Sequence, residues 1–515
     1  MRHAIVLTTI NAKWTHPSLA LRLLKANLGQ LEDKCEIIEF TLRQPLEEKA
    51  NAILAAQPDI VGLSVSIWNH TATIELIELL EKEWKSRECA AGAVTGGKST
   101  RPVIVLGGTE ISWLPQNADI FRYADFIVRG EGENAFRQIC EQVLGEKELC
   151  ANNNQKPQQN DHTVYQVDVN TIKTAYHLYT EDDLNRKLVY VESSRGCAFN
   201  CEFCLSSIKP EYNEPENAGT QDTAAQRRMR FFPLPQFLAE MDELVKRGAK
   251  TFKFLDRTFN LDMERAKQIL EFFLDKIDER KNGSQIPLVV HFEMIPSRFP
   301  PELLCLLSRF PQGTLRLEIG IQTLNAEVSD RIKRPSDPQK ELETLRLLRE
   351  NTQAIIHADL IAGLPGENFD SFAQGFDRLW DALSPQTSPA MRETIVSQPQ
   401  VEIQLGILKL LPGAPIARHT ENFGMRYNPL PPYEIMETTA LAQGDLERIK
   451  NFARFWELLV NRGLVQPQAD LLCDKKSIFT AFMELSDSLY AHFGRNWGID
   501  KSELIAAYGN AISVR

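Results

Sequence analysis

Two successive series of short β-branched runs, each run followed by a helical stretch, dominate this chain of 515 residues. That alternation constrains the fold, because neighbouring parallel strands need a long crossover between them and a helix is the usual one. In the first series "HAIVLTTI", "KCEIIEFTL", "PDIVGLSVS", "RPVIVLGGTEIS" and "ADFIV" read as strands. "PSLALRLLKANLGQL", "LEEKANAILAAQ", "NHTATIELIELLEKEW" and "ENAFRQICEQVL" read as helices between and after them. The pattern predicts a doubly wound α/β domain over residues 1–145, with ligands at the carboxyl ends of its strands. The small and polar "SRECAAGAVTGGKST" reads as a surface insertion.

The second series follows the polar, low-complexity stretch "ANNNQKPQQNDH", part of a linker over 146–186. Its strand-like runs are "LVYVESS", "TFKFLD", "IPLVVHFEMI", "LRLEIGIQ", "AIIHADLIAGLP" and "VEIQLGILKLLPGAP". That is too few strands for a complete eight-stranded barrel and suits an open (β/α)6 barrel over 187–425. "EYNEPENAGTQDTAAQ" and "SPQTSPAMRETIVSQPQ" interrupt it as polar insertions. From about Tyr427 the chain is expected to be helical without strands, as a small domain over 426–515.

The formal net charge of −11 argues against non-specific nucleic-acid binding, which needs surplus Lys and Arg. Arg227, Arg228 and Arg230 form a small basic group, read as part of a solvated loop. No apolar run approaches the ~20 residues of a membrane-spanning helix. The N-terminus runs into a strand and lacks the features of a secretion signal, so a cytoplasmic location is expected. Nine cysteines, an odd number, fit no disulfide framework.

Cys197, Cys201 and Cys204 stand together in "SSRGCAFNCEFC", immediately after a strand. A barrel keeps its chemistry at that end of its strands. Structural zinc takes four ligands, usually in two separated pairs, and no second Cys/His pair follows. Three thiolates suit an iron–sulfur cluster with one iron open to a substrate.

Here the sequence resembles the radical SAM superfamily, which carries CxxxCxxC after the first strand of a partial α/β barrel. The resemblance implies a 4Fe-4S cluster on Cys197, Cys201 and Cys204, with S-adenosylmethionine chelating the open iron and cleaved to a 5′-deoxyadenosyl radical. Phe203 matches the aromatic position near the adenine. "FKFLDRTFN" ends the second strand without the family's Gly-Gly-Glu motif, and Asp256 stands in its place. "LEIGIQTLN" resembles the fourth-strand segment, with Glu318 and Gln322 facing the cofactor. "LIAGLPGE", with Gly363, resembles the fifth-strand glycine motif. For Glu318 an internal salt bridge competes with a ligand role, for Asp256 a capping role does, and for the glycine motif a plain turn does.

The N-terminal domain has two readings within that resemblance. A methylthiotransferase carries three further cluster cysteines there, the first soon after strand one; here that position reads "TTINAKWTHPS". Cys35, Cys89 and Cys140 are read as buried apolar fillers. A flavodoxin-like (Rossmann-type) cobalamin-binding domain fits better: Ser64 and Ser66 lie in "VGLSVSIW", and Gly107–Gly108 ends the fourth strand. His16 lacks the Asp before it and the Gly after it that mark a cobalt-ligating histidine, and is read as a loop or helix-capping residue.

The whole is similar to cobalamin-dependent radical SAM enzymes with a helical C-terminal domain. The implied chemistry is methylation of an unactivated carbon or phosphorus by methylcobalamin after radical hydrogen abstraction. Ring contraction or oxidation without methyl transfer, a tRNA methylthiotransferase-like activity and a non-catalytic cobalamin or iron–sulfur sensor are the alternatives. An electron donor such as flavodoxin or ferredoxin is the implied partner, with neither membrane nor nucleic acid expected.

Overall fold

A computed structural model describes residues 3–91, 101–149, 164–208, 229–281, 287–384, 401–465 and 477–513. Arg227, Arg228, the 151–162 linker stretch and most of the three polar insertions lie outside these. The described residues separate into two compact units, one of residues 3–193 and 230–253, the other of 194–208, 229 and 254–513.

In the first unit β1 (Ile5–Asn11), α1 (Leu19–Ala26), β2 (Cys35–Thr41), α2 (Leu46–Ala56), β3 (Ile60–Ser64) and α3 (His70–Ala91) alternate as the sequence implies. They are followed by β4 (Val103–Gly107), α4 (Thr109–Trp113), β5 (Phe126–Ile127) and α5 (Glu133–Leu149). The sheet runs β2-β1-β3-β4-β5, and its pairs are parallel. This is the flavodoxin-like order, whose crevice opens between β1 and β3, where successive crossovers take opposite faces. β1 is buried along nearly its whole length because helices cover both faces. Ile53, Leu76, Trp84 and Leu106 pack on one side, and Leu7, Leu21, Val105 and Phe136 on the other.

Ser18 caps α1, its side chain accepting from the Leu21 N–H, so the capping role considered for His16 belongs to a residue two positions on. Arg230 is no solvated loop residue. Its guanidinium holds Glu131 at 2.5 Å and the Val167 carbonyl at 2.7 Å. The chain then continues with β6 (Val189–Val191), α6 (Leu234–Lys246) and β7 (Thr251–Phe254), the last crossing into the second unit.

In the second unit α7 (Met263–Lys281), β8 (Val289–Met294), α8 (Pro301–Leu307), β9 (Leu315–Gln322), α9 (Pro338–Asn351), β10 (Ile355–Ala362), α10 (Phe369–Leu383) and β11 (Val401–Ile407) follow in turn. β8 to β11 pair in sequence order, all parallel. β8, β9 and β10 alternate strictly between buried and half-buried residues. Their buried half is apolar, with Val290, Phe292, Leu317, Ile319, Ile356 and Ala358 at 0% exposure. The other half carries the polar residues from which the site is built.

Beyond the barrel strands the structure corrects one expectation. Arg426–Tyr427 and Ile435–Glu437 form a small antiparallel ribbon before the helices begin. These helices are α11 (Gln443–Trp456), α12 (Ile478–Phe493) and α13 (Lys501–Ser513). Phe376 of α10 meets Phe452 and Trp456 of α11 and Phe479 of α12 at ring-centroid distances of 4.9–5.6 Å. Asn461 pairs its side-chain amide with both backbone groups of Ile403, at 3.0 and 3.2 Å. β11 ends this run of strands, and the tail thereby satisfies backbone groups on its open edge. Among the described residues no helix is long and apolar enough to cross a membrane.

Candidate functional site

Cys197, Cys201, Phe203 and Cys204 line one cavity of about 190 Å³ in the second unit. That is far more than the ~30 Å³ share of a single water. The cavity also meets Arg257 and Thr258 after β7, Glu293 of β8, Glu318 and Gln322 of β9, Asp359 of β10, and Arg334. These polar groups come from successive strand ends because a parallel sheet aligns its carboxyl edges. Glu293 and Glu318 are register partners, as are Gly320 and Asp359.

β9 ends irregularly. Its register shifts between Gly320 and Gln322, and Gln322 takes a left-handed φ of 68°. The irregularity re-aims Gln322, as bulges near sites commonly do. Arg334 donates to the carbonyls of Gly320 and Ile321, and it also hydrogen-bonds the Cys201 sulfur. Burial raises the Cys201 pKa, and the neighbouring Arg334 works against that rise. The Cys197 sulfur lies 3.6 Å from the Thr258 hydroxyl.

Glu318 is both a cavity residue and an ion-pair partner, its carboxylate 3.2 Å from His291 Nε2. Deeper along the same face Arg316 reaches His357 at 2.9 Å, and His357 reaches Glu402 at 3.0 Å. The charged half of the sheet thus continues inward from the cavity.

Asp256 is 2% exposed, accepts from Ser194 Oγ at 2.6 Å and is not among the residues lining the cavity. Its neighbours Arg257 and Thr258 line the cavity instead. Asn260 anchors this loop, donating to the carbonyls of Ile295 and Arg298 at 2.9 and 2.7 Å. Gly363 has φ 89°, and a Cβ there would sit 2.5 Å from the Ile435 side chain, so the turn after β10 requires glycine. Gly363 also lies outside the cavity lining. The sequence reading missed Arg257, Thr258, Glu293, Arg334 and Asp359. The polar alternation in "VHFEM" and "HADLIA" was the available signal for Glu293 and Asp359, whereas Arg334 lies beyond a strand end and gave none.

Thiols are donors of the kind an iron–sulfur cluster takes. Three cysteines share a cavity whose remaining polar lining is not thiol. Among the described residues no three His, Cys, Asp or Glu side chains converge as the ligands of a single ion would.

The second candidate site lies in the first unit, at the carboxyl edge of its sheet. Ser64 and Gly107 are register partners. Gly108 follows with φ 102°, and a Cβ there would lie 2.5 Å from the Val65 carbonyl oxygen. Asn69, absent from the sequence reading, is fully buried beside them. Its amide nitrogen donates to Thr9 Oγ1 at 3.2 Å, the Ile10 carbonyl at 3.1 Å and the Ser64 carbonyl at 3.3 Å. Its oxygen accepts from the Ser66 N–H at 2.7 Å. One side chain thus ties β1 to the end of β3 at the crevice of the sheet. His16 meets the Tyr190 hydroxyl through Nδ1 at 2.5 Å, and burial, then Lys13 and Lys253, lower its pKa. Cys35 and Cys140 are buried in the core of this unit, where burial pushes the Cys35 thiol up to about 12.

Comparison with known families places the radical SAM superfamily on residues 191–379 and the B12 binding domain on residues 5–140. The radical SAM domain implies a 4Fe-4S cluster and S-adenosylmethionine, and the B12 binding domain implies cobalamin. The ribosomal protein uS12 methylthiotransferase RimO of Citrifermentans bemidjiense is 26% identical over 48% of this chain and 48% of its own. The chain therefore spans about half the length of that relative. Among solved structures, the cobalamin-dependent radical enzyme OxsB with aqua-cobalamin bound matches at TM-score 0.61 and 16% identity, over 100% of this chain and 79% of its own. The methyltransferase TsrM from Kitasatospora setae, with tryptophan and a SAM analogue bound, matches at TM-score 0.54 and 17% identity, over 85% and 80%. At such identities these structures support the fold.

Proposed function

We propose that this chain, a cobalamin-binding protein of the radical SAM superfamily, methylates an unactivated carbon or phosphorus centre. The observation that carries the reading is the convergence of Cys197, Cys201 and Cys204 with Phe203, Gln322 and Arg334 on one cavity. When bound, the cluster and S-adenosylmethionine supply a hydrogen-abstracting radical, and cobalamin supplies a transferable methyl group.

The protein's own contributions follow from the cavity. Cys197, Cys201 and Cys204 would hold the cluster. Arg334, fixed by the carbonyls of Gly320 and Ile321, places a permanent cation where a carboxylate can pair with it. Gln322 and Glu318 offer an amide and a carboxylate to the amine and hydroxyl groups of the same ligand. Phe203 adds an apolar face for an adenine ring. Ser64, Ser66, Gly107 and Gly108 border the crevice for the nucleotide tail of cobalamin, where small residues leave room. Asp256 supports the loop carrying Arg257 and Thr258 through its bond with Ser194. His16, engaged by Tyr190, is left out of the cobalt ligands.

The methylthiotransferase reading gains support from the RimO relatives but requires a second set of cluster cysteines. Cys35 and Cys140 are 2% and 0% exposed in an apolar core, the environment of inert thiols. That favours methyl transfer.

The test is anaerobic purification with cobalamin supplied, iron and cobalt counts, and incubation with methyl-deuterated S-adenosylmethionine and a one-electron reductant such as reduced flavodoxin. Methyl transfer yields 5′-deoxyadenosine, S-adenosylhomocysteine and a deuteromethylated product. 5′-Deoxyadenosine without S-adenosylhomocysteine would point to rearrangement or oxidation, and neither product to a sensor.

A further inference from the structure

Glu202 lies between the second and third cysteines of the trio, yet it is 1% exposed and is not among the residues lining the cavity. Burying a carboxylate is costly unless it is paired and hydrogen-bonded. Here the pairing is dense. Arg418 Nε donates to its Oε2 at 2.9 Å, and Arg418 Nη2 lies 2.8 Å from Oε1 as an ion-pair contact outside hydrogen-bonding geometry. His419 Nε2 adds a contact at 2.8 Å and Lys333 one at 3.2 Å. The backbone of the same residue is held on both sides. Its N–H donates to the Ile332 carbonyl, and its carbonyl accepts from the Ile416 N–H, each at 3.0 Å.

The partners come from two distant segments, the turn after Ala326–Arg331 and the turn Pro415–His419 beyond β11. A loop of three thiols has no regular secondary structure of its own to fix the spacing of its sulfurs. One residue in its middle supplies that fixation, since displacing Glu202 moves Cys201 and Cys204 with it.

We infer that Glu202 is the positioning residue of the cysteine loop, clamped by Arg418, His419 and Lys333 so that the three thiols are set for a cluster before it arrives. This rests on the radical SAM reading. It adds that reading's supporting shell, which residue type and motif spacing leave unassigned. Partners that orient metal ligands typically affect metal affinity or activity by about 10–100-fold.

The experiment uses the reconstituted full-length protein. Cluster loss to an iron chelator is followed by visible absorption, and the dithionite-reduced cluster is examined by electron paramagnetic resonance. Glu202→Gln keeps the shape and removes the charge. It should lose its cluster about 10–100-fold faster than wild type and show shifted g-values when compared well below its own thermal unfolding transition. Glu202→Asp should recover part of the lifetime. If Glu202→Gln does not fold, Arg418→Gln carries the test, because that side chain is half exposed and its loss leaves His419 and Lys333 in place. It too should release the cluster faster. Wild-type lifetimes and g-values in these variants would overturn the inference while leaving the radical SAM reading intact. A wild-type protein that takes up no cluster would overturn both.

Discussion

The Thr323 hydroxyl donates to Glu367 Oε1 at 2.7 Å, joining the residue after β9 to the glycine turn after β10. Glu367 is 3% exposed, and its Oε2 has no hydrogen-bond partner among the described residues. Burial raises its pKa to about 7, with the bonds from Thr323 and Ser371 opposing the rise. Glu341, also buried, is raised to about 7. A carboxyl group whose folded pKa exceeds its unfolded value of 4.5 binds its proton more tightly when folded. Its contribution is complete below that lower value and is lost as the pH rises through about 7. Stability should therefore fall across this window, with a slope on the order of 1.4 kcal/mol per pH unit for each group. Denaturant titrations at several pH values test this, and Glu367→Gln should make the slope shallower. An unchanged slope in that variant would show that Glu367 is ionised in the folded protein.

Replacing Cys197, Cys201 and Cys204 together with Ala should reduce iron content and S-adenosylmethionine cleavage to background while the far-ultraviolet circular dichroism is retained. Cys305 is exposed and lies outside the cavity lining, so Cys305→Ala should match wild type in both assays. Cys35→Ala and Cys140→Ala should change stability by about 1 kcal/mol, the cost of a small core truncation, without loss of iron. A loss of iron in either variant would restore the methylthiotransferase reading.

How much of this was legible in the sequence follows from the range of each interaction. The order of strands and helices is local periodicity, so it was readable from "HAIVLTTI" onward. The cysteine spacing is local too. Asp256 stands where the motif suggests a cofactor residue, but beyond a strand end the side chains no longer follow a readable alternation. Here Arg257 and Thr258 line the cavity while Asp256 meets Ser194, 62 residues earlier. Arg334 and Glu202 were invisible for a related reason. Glu202 meets Arg418, 216 residues beyond it, Arg334 bonds carbonyls 13 and 14 residues back across a strand end, and no local pattern marks either. The ribbon at Arg426–Tyr427 and Ile435–Glu437 escaped because its strands are too short to show a period.

Gly107 and Gly108 looked equivalent in sequence, and the structure separates them. A Cβ on Gly107 would meet the Val128 carbonyl oxygen at 3.4 Å, a contact its surroundings can absorb. A Cβ on Gly108 would lie 2.5 and 2.7 Å from Val65 backbone atoms, at a φ that favours glycine. Gly108→Ala should therefore cost about 1–3 kcal/mol of stability from strain alone and weaken cobalamin binding. Gly107→Ala should leave stability nearly unchanged and cost less cobalamin affinity than Gly108→Ala. Isothermal titration with hydroxocobalamin compares the two, and equal affinities in both variants would contradict the assignment of Gly108 to the tail crevice.

The contact of His16 Nδ1 with Tyr190 of β6 and the lowered pKa of His16 describe a neutral imidazole already engaged by another part of its unit. Bound Co(II) cobalamin should show no nitrogen superhyperfine splitting from the protein, and His16→Ala should leave its electron paramagnetic resonance spectrum unchanged. Splitting that disappears in His16→Ala would identify this histidine as the lower cobalt ligand, with Tyr190 orienting it.

Asn69 offers the sharpest test of the crevice, because substitution by an isosteric residue and by a smaller one should have ordered effects. Asn69→Ala removes the donor to Thr9, Ile10 and Ser64 and the acceptor for the Ser66 N–H. Each buried group left unsatisfied costs about 1–3 kcal/mol, so a loss of several kcal/mol is expected. Asn69→Asp keeps the shape and the acceptor for Ser66. It also turns the other end of the side chain toward the carbonyls of Ile10 and Ser64, where an oxygen meets oxygens. A buried carboxylate facing two carbonyl groups is worse than an empty space beside them. Denaturant unfolding should therefore rank wild type above Ala and Ala above Asp. Cobalamin affinity should fall in the same order, since β1 and β3 separate where the crevice begins. If Asp proved as stable as wild type, Asn69 would not act through its amide donor, and the tie between β1 and β3 would rest on backbone pairing alone.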